Sequence, residues 1–197
     1  WSSPESDWYP VVLPEKLITP AGVTFDQVGY AAPLPTDQPG LYWHKGGHFH
    51  DLRISLPAAA GTVKGQTLHL STDYNGAGGY RVQFMADEKG QYLARLTRGA
   101  ETVGDYPFTL GPKSRFVFQR RGSFLLLTVQ DLDPEDTGGE PEVTAERMIF
   151  TYRDKAPLKA EMIGFTVTEP TLPAAKLEVE SDRLEDPFEY APTSWIT

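Results

Sequence analysis

The amino-acid sequence predicts an all-β fold, a jelly-roll-type sandwich of two antiparallel sheets. Short segments alternate apolar and polar residues with a period of two, which is the pattern of half-buried strands. The 18 glycines and 17 prolines are spread along the 197 residues and interrupt these segments with turns. No convincing amphipathic helix of about ten or more residues competes, so about ten to thirteen strands must close into two packed sheets.

Residues 48–56 show the clearest strand pattern. Leu52, Ile54 and Leu56 fall on one face, and Asp51 and other polar residues fall on the opposite face. The further predicted strands cover 66–72, a segment that starts at Tyr80, 91–98, 102–108, 114–120, 123–130, 143–153 and 161–168. The glycine-rich connection 73–79 supplies the positive φ angles of a hairpin tip.

The C-terminal segment is acidic and follows the last clear core strand. Its best helix candidate, 173–185, fits a short strand over 177–179 and an acidic turn better than a helix. We therefore predict one sandwich domain over residues 1–170. Residues 171–197 are predicted as an acidic edge strand or linker, with the start of a second module as the alternative.

Composition excludes several classes of function. The chain has 18 Lys and Arg against 27 Asp and Glu, and a formal net charge of −9 opposes a nucleic-acid backbone. With no cysteine, disulfides and thiolate metal sites are excluded. The longest apolar runs fall far short of the ~20 residues of a membrane-spanning helix. The sequence opens at Trp1 without an apolar signal region, which we interpret as a removed targeting segment or a start inside a longer exported product.

A series of short phrases occurs in a characteristic order between residues 40 and 168. These phrases are Trp43-His44-Lys45, Asp51, Gly79-Tyr80, Leu96-Thr97-Arg98-Gly99, Arg121-Gly122 and the run from Tyr152 to Leu158. In order and spacing the chain resembles the concanavalin A-like lectin/glucanase superfamily, and within it the LamG-like jelly-roll modules of large exported bacterial proteins. Residues 186–195 are similar to the phrase that opens such a module. The resemblance implies a lectin-like sandwich.

The glucan-cutting enzymes of that superfamily carry a Glu-x-Asp-x-x-Glu or similar cluster on one strand, because retaining hydrolysis needs two carboxyl groups about 5–5.5 Å apart. Glu178, Glu180 and Glu185 come near this spacing but lie in a charged stretch with little apolar packing. No Gly-x-Ser-x-Gly, His-Glu-x-x-His, phosphate-loop or dinucleotide motif is present. The chain is therefore expected to lack catalytic residues.

Two metal sites are considered. His48 and His50 are two residues apart on a strand, with His44 upstream, which is a spacing that can hold zinc; surface or turn histidines are the alternative. A loop rich in carboxylates, which also contains Glu140 and Glu142, can supply oxygen ligands for calcium; a solvated acidic loop is the alternative. The candidate calcium ligands are Asp131, Asp133 and Asp136.

A sugar-binding site needs aromatic faces beside amides and carboxylates. One region offers both, and the candidate ligand-binding residues there are Tyr42, Trp43, His44, His48, Asp73, Tyr74 and Asn75. The alternative is that Trp43 is a core residue and that Asp73 and Asn75 only cap a turn.

These observations favour a non-catalytic carbohydrate-binding or adhesive module of an exported protein, secreted, at the cell surface or periplasmic, with a polysaccharide or other glycan as partner. A structural or assembly subunit that binds protein partners or neighbouring domains is the second possibility, because the aromatic residues near the ends have no evident core role. A divergent polysaccharide hydrolase or lyase is the third. No cofactor is expected, with calcium left open.

Overall fold

The computed structural model describes residues 15–19, 22–33, 40–58, 65–72, 78–135, 141–156, 160–167, 176–186 and 195–196, and the statements below concern these residues. Every regular element in this part of the chain is a β-strand, and none is a helix that could cross a membrane. The strands are β1 (Glu15–Thr19), β2 (Gly22–Pro33), β3 (Gly40–Ala58), β4 (Thr67–Ser71), β5 (Tyr80–Ala86), β6 (Tyr92–Arg98), β7 (Glu101–Phe108), β8 (Ser114–Arg121), β9 (Phe124–Leu132), β10 (Val143–Arg153), β11 (Met162–Val167), β12 (Lys176–Asp186) and β13 (Trp195–Ile196).

The long strand β3 belongs to two antiparallel sheets. Its second half lies between β12 and β8 in the front sheet, whose strand order is β1-β2-β12-β3-β8-β9-β10. Its first half pairs with β11 in the back sheet, whose order is β3-β11-β4-β5-β6-β7; the short β13 also pairs with this half of β3. The predicted all-β, two-sheet jelly-roll sandwich is confirmed.

A β-bulge marks the second half of β3. His50 and Asp51 together oppose the single residue Asp182 of β12, and His50 has a φ of 63°. The guanidinium of Arg120 donates hydrogen bonds to the carbonyl oxygens of His48 and His50, both at 2.8 Å, and to that of Ala160. Arg120 is 1% exposed, and burial lowers its pKa to about 10, so it remains a cation at neutral pH. One buried cation therefore joins two carbonyls at the bulge to that of Ala160, which precedes β11.

Aromatic side chains from the two sheets meet in the core. The Phe84 ring of β5 stacks on the Phe116 ring of β8 with centroids 4.3 Å apart. Tyr106 of β7 contacts Phe150 of β10 at 5.1 Å. Because each buried ring contributes about 1.5–3 kcal/mol relative to an exposed one, these contacts are a main source of attraction between the sheets.

The strands predicted from residue 66 to residue 168 agree with β4 to β11 within a few residues. The position of the C-terminal strand was predicted wrongly. β12 is a central strand rather than an edge, since it pairs with β2 on one side and β3 on the other, and Leu177 and Val179 are buried. The phrase assigned to the start of another module lies largely outside the described residues.

Residues from several of the short sequence motifs between residues 40 and 168 contact one another in the structure. The carboxylate of Asp154 accepts hydrogen bonds from the Tyr80 hydroxyl and from the Lys155 backbone amide at 2.6 Å, and forms an ion pair with Arg98 at 3.3 Å. The Tyr80 hydrogen bond is the main cause that lowers the pKa of Asp154, and burial is the main cause that raises the pKa of Tyr80. Elsewhere, the Gly122 amide donates to the Asp51 carboxylate at 3.0 Å. These contacts join distant segments, so the phrases have a structural role.

Candidate functional site

Two aromatic residues of the predicted sugar site, Tyr42 and Trp43, are buried. Tyr42 belongs to the core between the sheets, whereas Trp43 lies on the outer side of the back sheet and is 3% exposed. The indole of Trp43 crosses Gly164 and meets the His69 ring edge-on at 5.6 Å. A sugar ring stacks only on an accessible aromatic face, so Tyr42 and Trp43 do not fit the stacking role suggested for them.

The candidate histidines lie at two different depths. His44 and His48 are fully buried with ring centroids 5.1 Å apart, whereas His50 is exposed at the bulge. Among the described residues, no three His, Cys, Asp or Glu side chains form a group that could hold a metal ion. The remaining predicted sugar ligands, Asp73, Tyr74 and Asn75, lie outside the described residues.

The carboxylate of Asp131 is already engaged by protein donors. Arg147 donates to both of its oxygens, at 2.5 and 3.0 Å, and Ser114 donates at 2.7 Å. The Arg147 hydrogen bonds are the main cause that lowers the pKa of Asp131. Asp133 accepts a hydrogen bond from the Glu135 amide at 2.9 Å, which is an Asx-type turn, and Asp136 lies outside the described residues. Calcium binding by Asp131, Asp133 and Asp136 stays a prediction.

The outer side of the front sheet carries two neighbouring cavities along β12, β3 and β8. The first, of about 440 Å³, is lined by residues that include Arg53, Gln119 and Glu180. The second, of about 260 Å³, is lined by residues that include Ser55 and Arg115. Because Arg53 and Ser55 are alternate residues of one strand, the cavities lie side by side, and we call them together the front groove.

Strand register explains why the face is grooved. Ser55, Val117 and Thr128 are direct neighbours across β3, β8 and β9, and all three side chains are short. The row on one side contains Arg53 and Gln119, and the row on the other contains Pro57, Arg115 and Gln130. Long side chains therefore stand on both sides of a row of short ones.

Two hydroxyls at the floor of this face are unsatisfied. The Oγ of Ser55 and the Oγ1 of Thr128 are buried and have no hydrogen-bond partner. A buried polar group without a partner costs roughly 1–3 kcal/mol, so most buried polar groups in proteins are paired. Of these two residues, Ser55 lines the second cavity, whereas Thr128 lines neither cavity.

The side chains flanking the floor combine donors and acceptors. Arg53 forms an ion pair with Glu180 at 2.9 Å across β3 and β12. The Nε of Arg115 donates to the Gln130 side-chain oxygen at 2.8 Å. Guanidinium, amide, carboxylate and hydroxyl groups are those that bind sugar hydroxyls. Arg53, Gln119 and Arg115 were not selected in the sequence analysis, although their polar positions alternate with the core leucines and phenylalanines of β3 and β8.

The acidic residues considered for catalysis do not form an enclosed pair in the described region. Glu178 and Glu180 are both exposed on β12, and the Glu180 carboxylate contacts Arg53. The side chain of Glu185 is outside the described part of the chain. The groove thus offers polar binding groups without an assembled pair of acid and nucleophile among these residues.

Comparison with known proteins gives likenesses of fold only. No family model and no curated protein matches the sequence. The VIP36 exoplasmic/lumenal domain in its Ca²⁺/Man3GlcNAc-bound form is 10% identical with a TM-score of 0.46, over 90% of this chain and 85% of that one. A Saccharomyces cerevisiae protein of unknown function is 8% identical with a TM-score of 0.37, over 90% and 94% of the two chains. The GH43B protein of the Bacteroides ovatus xyloglucan locus is 8% identical with a TM-score of 0.35, over 85% of this chain and 32% of that one.

Proposed function

We propose that this protein is a non-catalytic carbohydrate-binding module of an exported protein and that a polysaccharide chain binds in the front groove. The observation that carries the proposal is the row of short side chains with two unpaired buried hydroxyls, Ser55 and Thr128, between rows of long polar side chains. A secreted, cell-surface or periplasmic location belongs to the proposal, because structural polysaccharides lie outside the cytoplasm.

Two further properties of the groove support this function. Both cavities are lined by residues of β12, β3 and β8, so an extended chain laid across these strands can contact both. Its side chains are held by cross-strand contacts such as those between Arg53 and Glu180, so little ordering is needed on binding. A preformed, polar front groove on a rigid sheet suits weak binding of successive sugar units.

The test is a binding screen by affinity electrophoresis against neutral and acidic polysaccharides, followed by calorimetry with the best ligand. We expect Gln119→Ala to weaken binding by about tenfold, because one or two hydrogen bonds to sugar hydroxyls are lost. Arg95→Ala is the matched control. It removes an arginine that pairs with Asp105 on the outer side of the back sheet, and it should leave binding unchanged. Absence of binding to every polysaccharide would reject the proposal.

A second candidate function, assembly with protein partners, is favoured by exposed apolar side chains on β9 and β10. Phe124 is 38% exposed, Val143 39% and Met148 55%. Among the described strands, β10 pairs only with β9 and so presents an edge. Analytical ultracentrifugation of the native protein and of Met148→Asp distinguishes the two functions. If the subunit self-associates through β10, the mass of the sedimenting species should fall in Met148→Asp. If it is a monomeric sugar-binding module, the mass should be the same in both proteins.

A further inference from the structure

We propose that two copies of this chain join edge to edge through β10, so that the partner of the second candidate function is a second copy of the same protein. Among the described strands, β10 pairs only with β9, and its other side offers backbone groups for pairing. The inference does not depend on sugar binding. It rests on the order of residues along β10, which is symmetric about the bond between Ile149 and Phe150.

The exposure pattern of β10 is the same when it is followed from the centre towards either end. Ile149 and Phe150 at the centre face inward, and on each side an exposed, a half-buried and an exposed residue follow in turn. The exposed residues are Glu146, Met148, Thr151 and Arg153, and the half-buried ones are Arg147 and Tyr152. The β-bulge between Met148 and Phe150 produces this symmetry, because its extra residue shifts the alternation by one position.

A symmetric dimer needs this kind of pattern. A two-fold axis perpendicular to the sheet places a strand antiparallel to a copy of itself. Residues directly opposite each other in such a pair must point to the same face of the sheet. With the axis between Ile149 and Phe150, every residue from 146 to 153 meets this condition. An axis at Phe150 would instead place half-buried Ile149 opposite exposed Thr151.

This register also makes the charges of the two copies complementary. Glu146 of one copy lies opposite Arg153 of the other, and the two-fold axis produces this pair twice. In the described part of the chain, neither side chain has an ion-pair partner. Glu146 accepts a hydrogen bond from Nε2 of Gln130 at 3.3 Å, and the guanidinium of Arg153 lies over the Phe124 ring at 5.3 Å. Opposite charges directly across an antiparallel pair stabilise it.

An apolar contact lies beside the axis. Met148 is 55% exposed and would lie opposite Thr151 of the second copy, which covers part of its apolar surface. Because the axis is perpendicular to the sheet, the front grooves of both copies stay on the same face of the joined sheet. If the proposed function holds, one long polysaccharide can contact both grooves, and its apparent affinity rises.

Analytical ultracentrifugation over a concentration series tests the interface, and we expect the native protein to form a dimer. Glu146→Arg and Arg153→Glu should each raise the dissociation constant of the dimer by about tenfold, because each replaces two opposite-charge pairs by two like-charge pairs. The variant with both substitutions has opposite charges again and should dimerise as the native protein does. Glu88→Arg, in the exposed turn between β5 and β6, is the matched control and should leave dimerisation unchanged.

Disulfide cross-linking tests the register. The native chain has no cysteine, so an introduced thiol reports only on its own position. We expect a mixture of the Glu146→Cys and Arg153→Cys variants to form a disulfide between the two proteins under oxidising conditions. Each variant alone should stay unlinked, because the two copies of one position lie at opposite ends of the paired strands.

A native protein that stays monomeric over the whole concentration series would overturn the inference. A doubly substituted variant that fails to regain the dimer, or a mixture that forms no disulfide, would overturn it as well. Polysaccharide binding is measured separately on the Glu146→Arg variant, which keeps the front groove. Binding without a dimer would leave the proposed function in place, and a dimer without binding would reject the proposed function alone.

Discussion

The outer faces of the two sheets are built from the same alternating pattern but differ in how their central rows are filled. On the back sheet, the row of Trp43, Gly164 and His69 is closed, because the indole lies over the glycine and meets the imidazole. On the front sheet, the row of Ser55 and Thr128 has short side chains whose hydroxyls are unpaired. Both faces carry an arginine paired with a carboxylate across strands, so charge does not distinguish them.

The comparison indicates that the order of large and small side chains across neighbouring strands decides whether a sheet face becomes a groove. The alternation of polar and apolar residues along one strand does not decide it. A large ring beside a glycine fills the gap that the glycine leaves. A short side chain between long ones leaves the gap open. The two faces can be tested separately, since the residues that define them do not contact each other directly.

The largest expected effect concerns His69 on the closed face. Burial lowers the pKa of His69 to about 4, with the charge of Arg81 as a second cause, and its Nε2 lies 2.7 Å from the Thr166 hydroxyl. Between pH 6.5 and about pH 4, the imidazole of His69 is protonated in the unfolded chain but neutral in the folded protein. The free energy of unfolding is therefore highest above pH 6.5 and falls as the pH is lowered to about 4. The loss should be about 3 kcal/mol.

Urea denaturation at pH 4.5 and pH 7 measures this loss. His69→Gln keeps a polar group near Thr166 but does not titrate, so the stability difference between the two pH values should shrink. An unchanged pH dependence in this variant would contradict a neutral, buried His69.

The next effect compares two glycines, one on each outer face. A Cβ on Gly164 would lie 2.5 Å from Cζ3 of Trp43, whereas a Cβ on Gly29 would meet only the Glu180 side chain at 3.9 Å. Gly164→Ala should therefore cost about 1–3 kcal/mol and shift the tryptophan fluorescence. Gly29→Ala should change neither property, and equal costs for the two variants would show that the closed face is not tightly packed.

The smallest effect compares two serines. Ser71, on the back sheet, donates a hydrogen bond to the Gly78 carbonyl at 2.5 Å, whereas the Ser55 hydroxyl has no partner. Ser71→Ala should cost about 1 kcal/mol, and Ser55→Ala should be neutral or slightly stabilising. Thermal unfolding of both variants provides the measurement, and a clear loss of stability in Ser55→Ala would mean that its hydroxyl is already satisfied in the protein.

Sequence alone predicts the strands well because alternation is a local property. It places Leu52 and Ile54 inward without reference to any other segment. The central position of β12 was missed because pairing with β2 and β3 joins residues far apart in the chain. An acidic strand carries no local mark that distinguishes a centre from an edge.

The candidate site was harder to predict for the same reason. Trp43 is buried by its position beside Gly164, which follows from the register of β3 and β11 and not from the residues next to Trp43. The front groove depends on residues of β12, β3 and β8 that only strand pairing brings together. Polarity of single positions is visible in a sequence, whereas the gap between neighbouring strands appears only after the strands are paired.

The sharing of β3 between both sheets has a consequence for how the domain opens. Because one continuous strand contributes hydrogen bonds to both layers, neither layer can separate without breaking backbone pairing in the other. Amide protons of Ile54 in the front sheet and Leu68 in the back sheet should then exchange with solvent through the same global transition. The domain would then open as one cooperative unit.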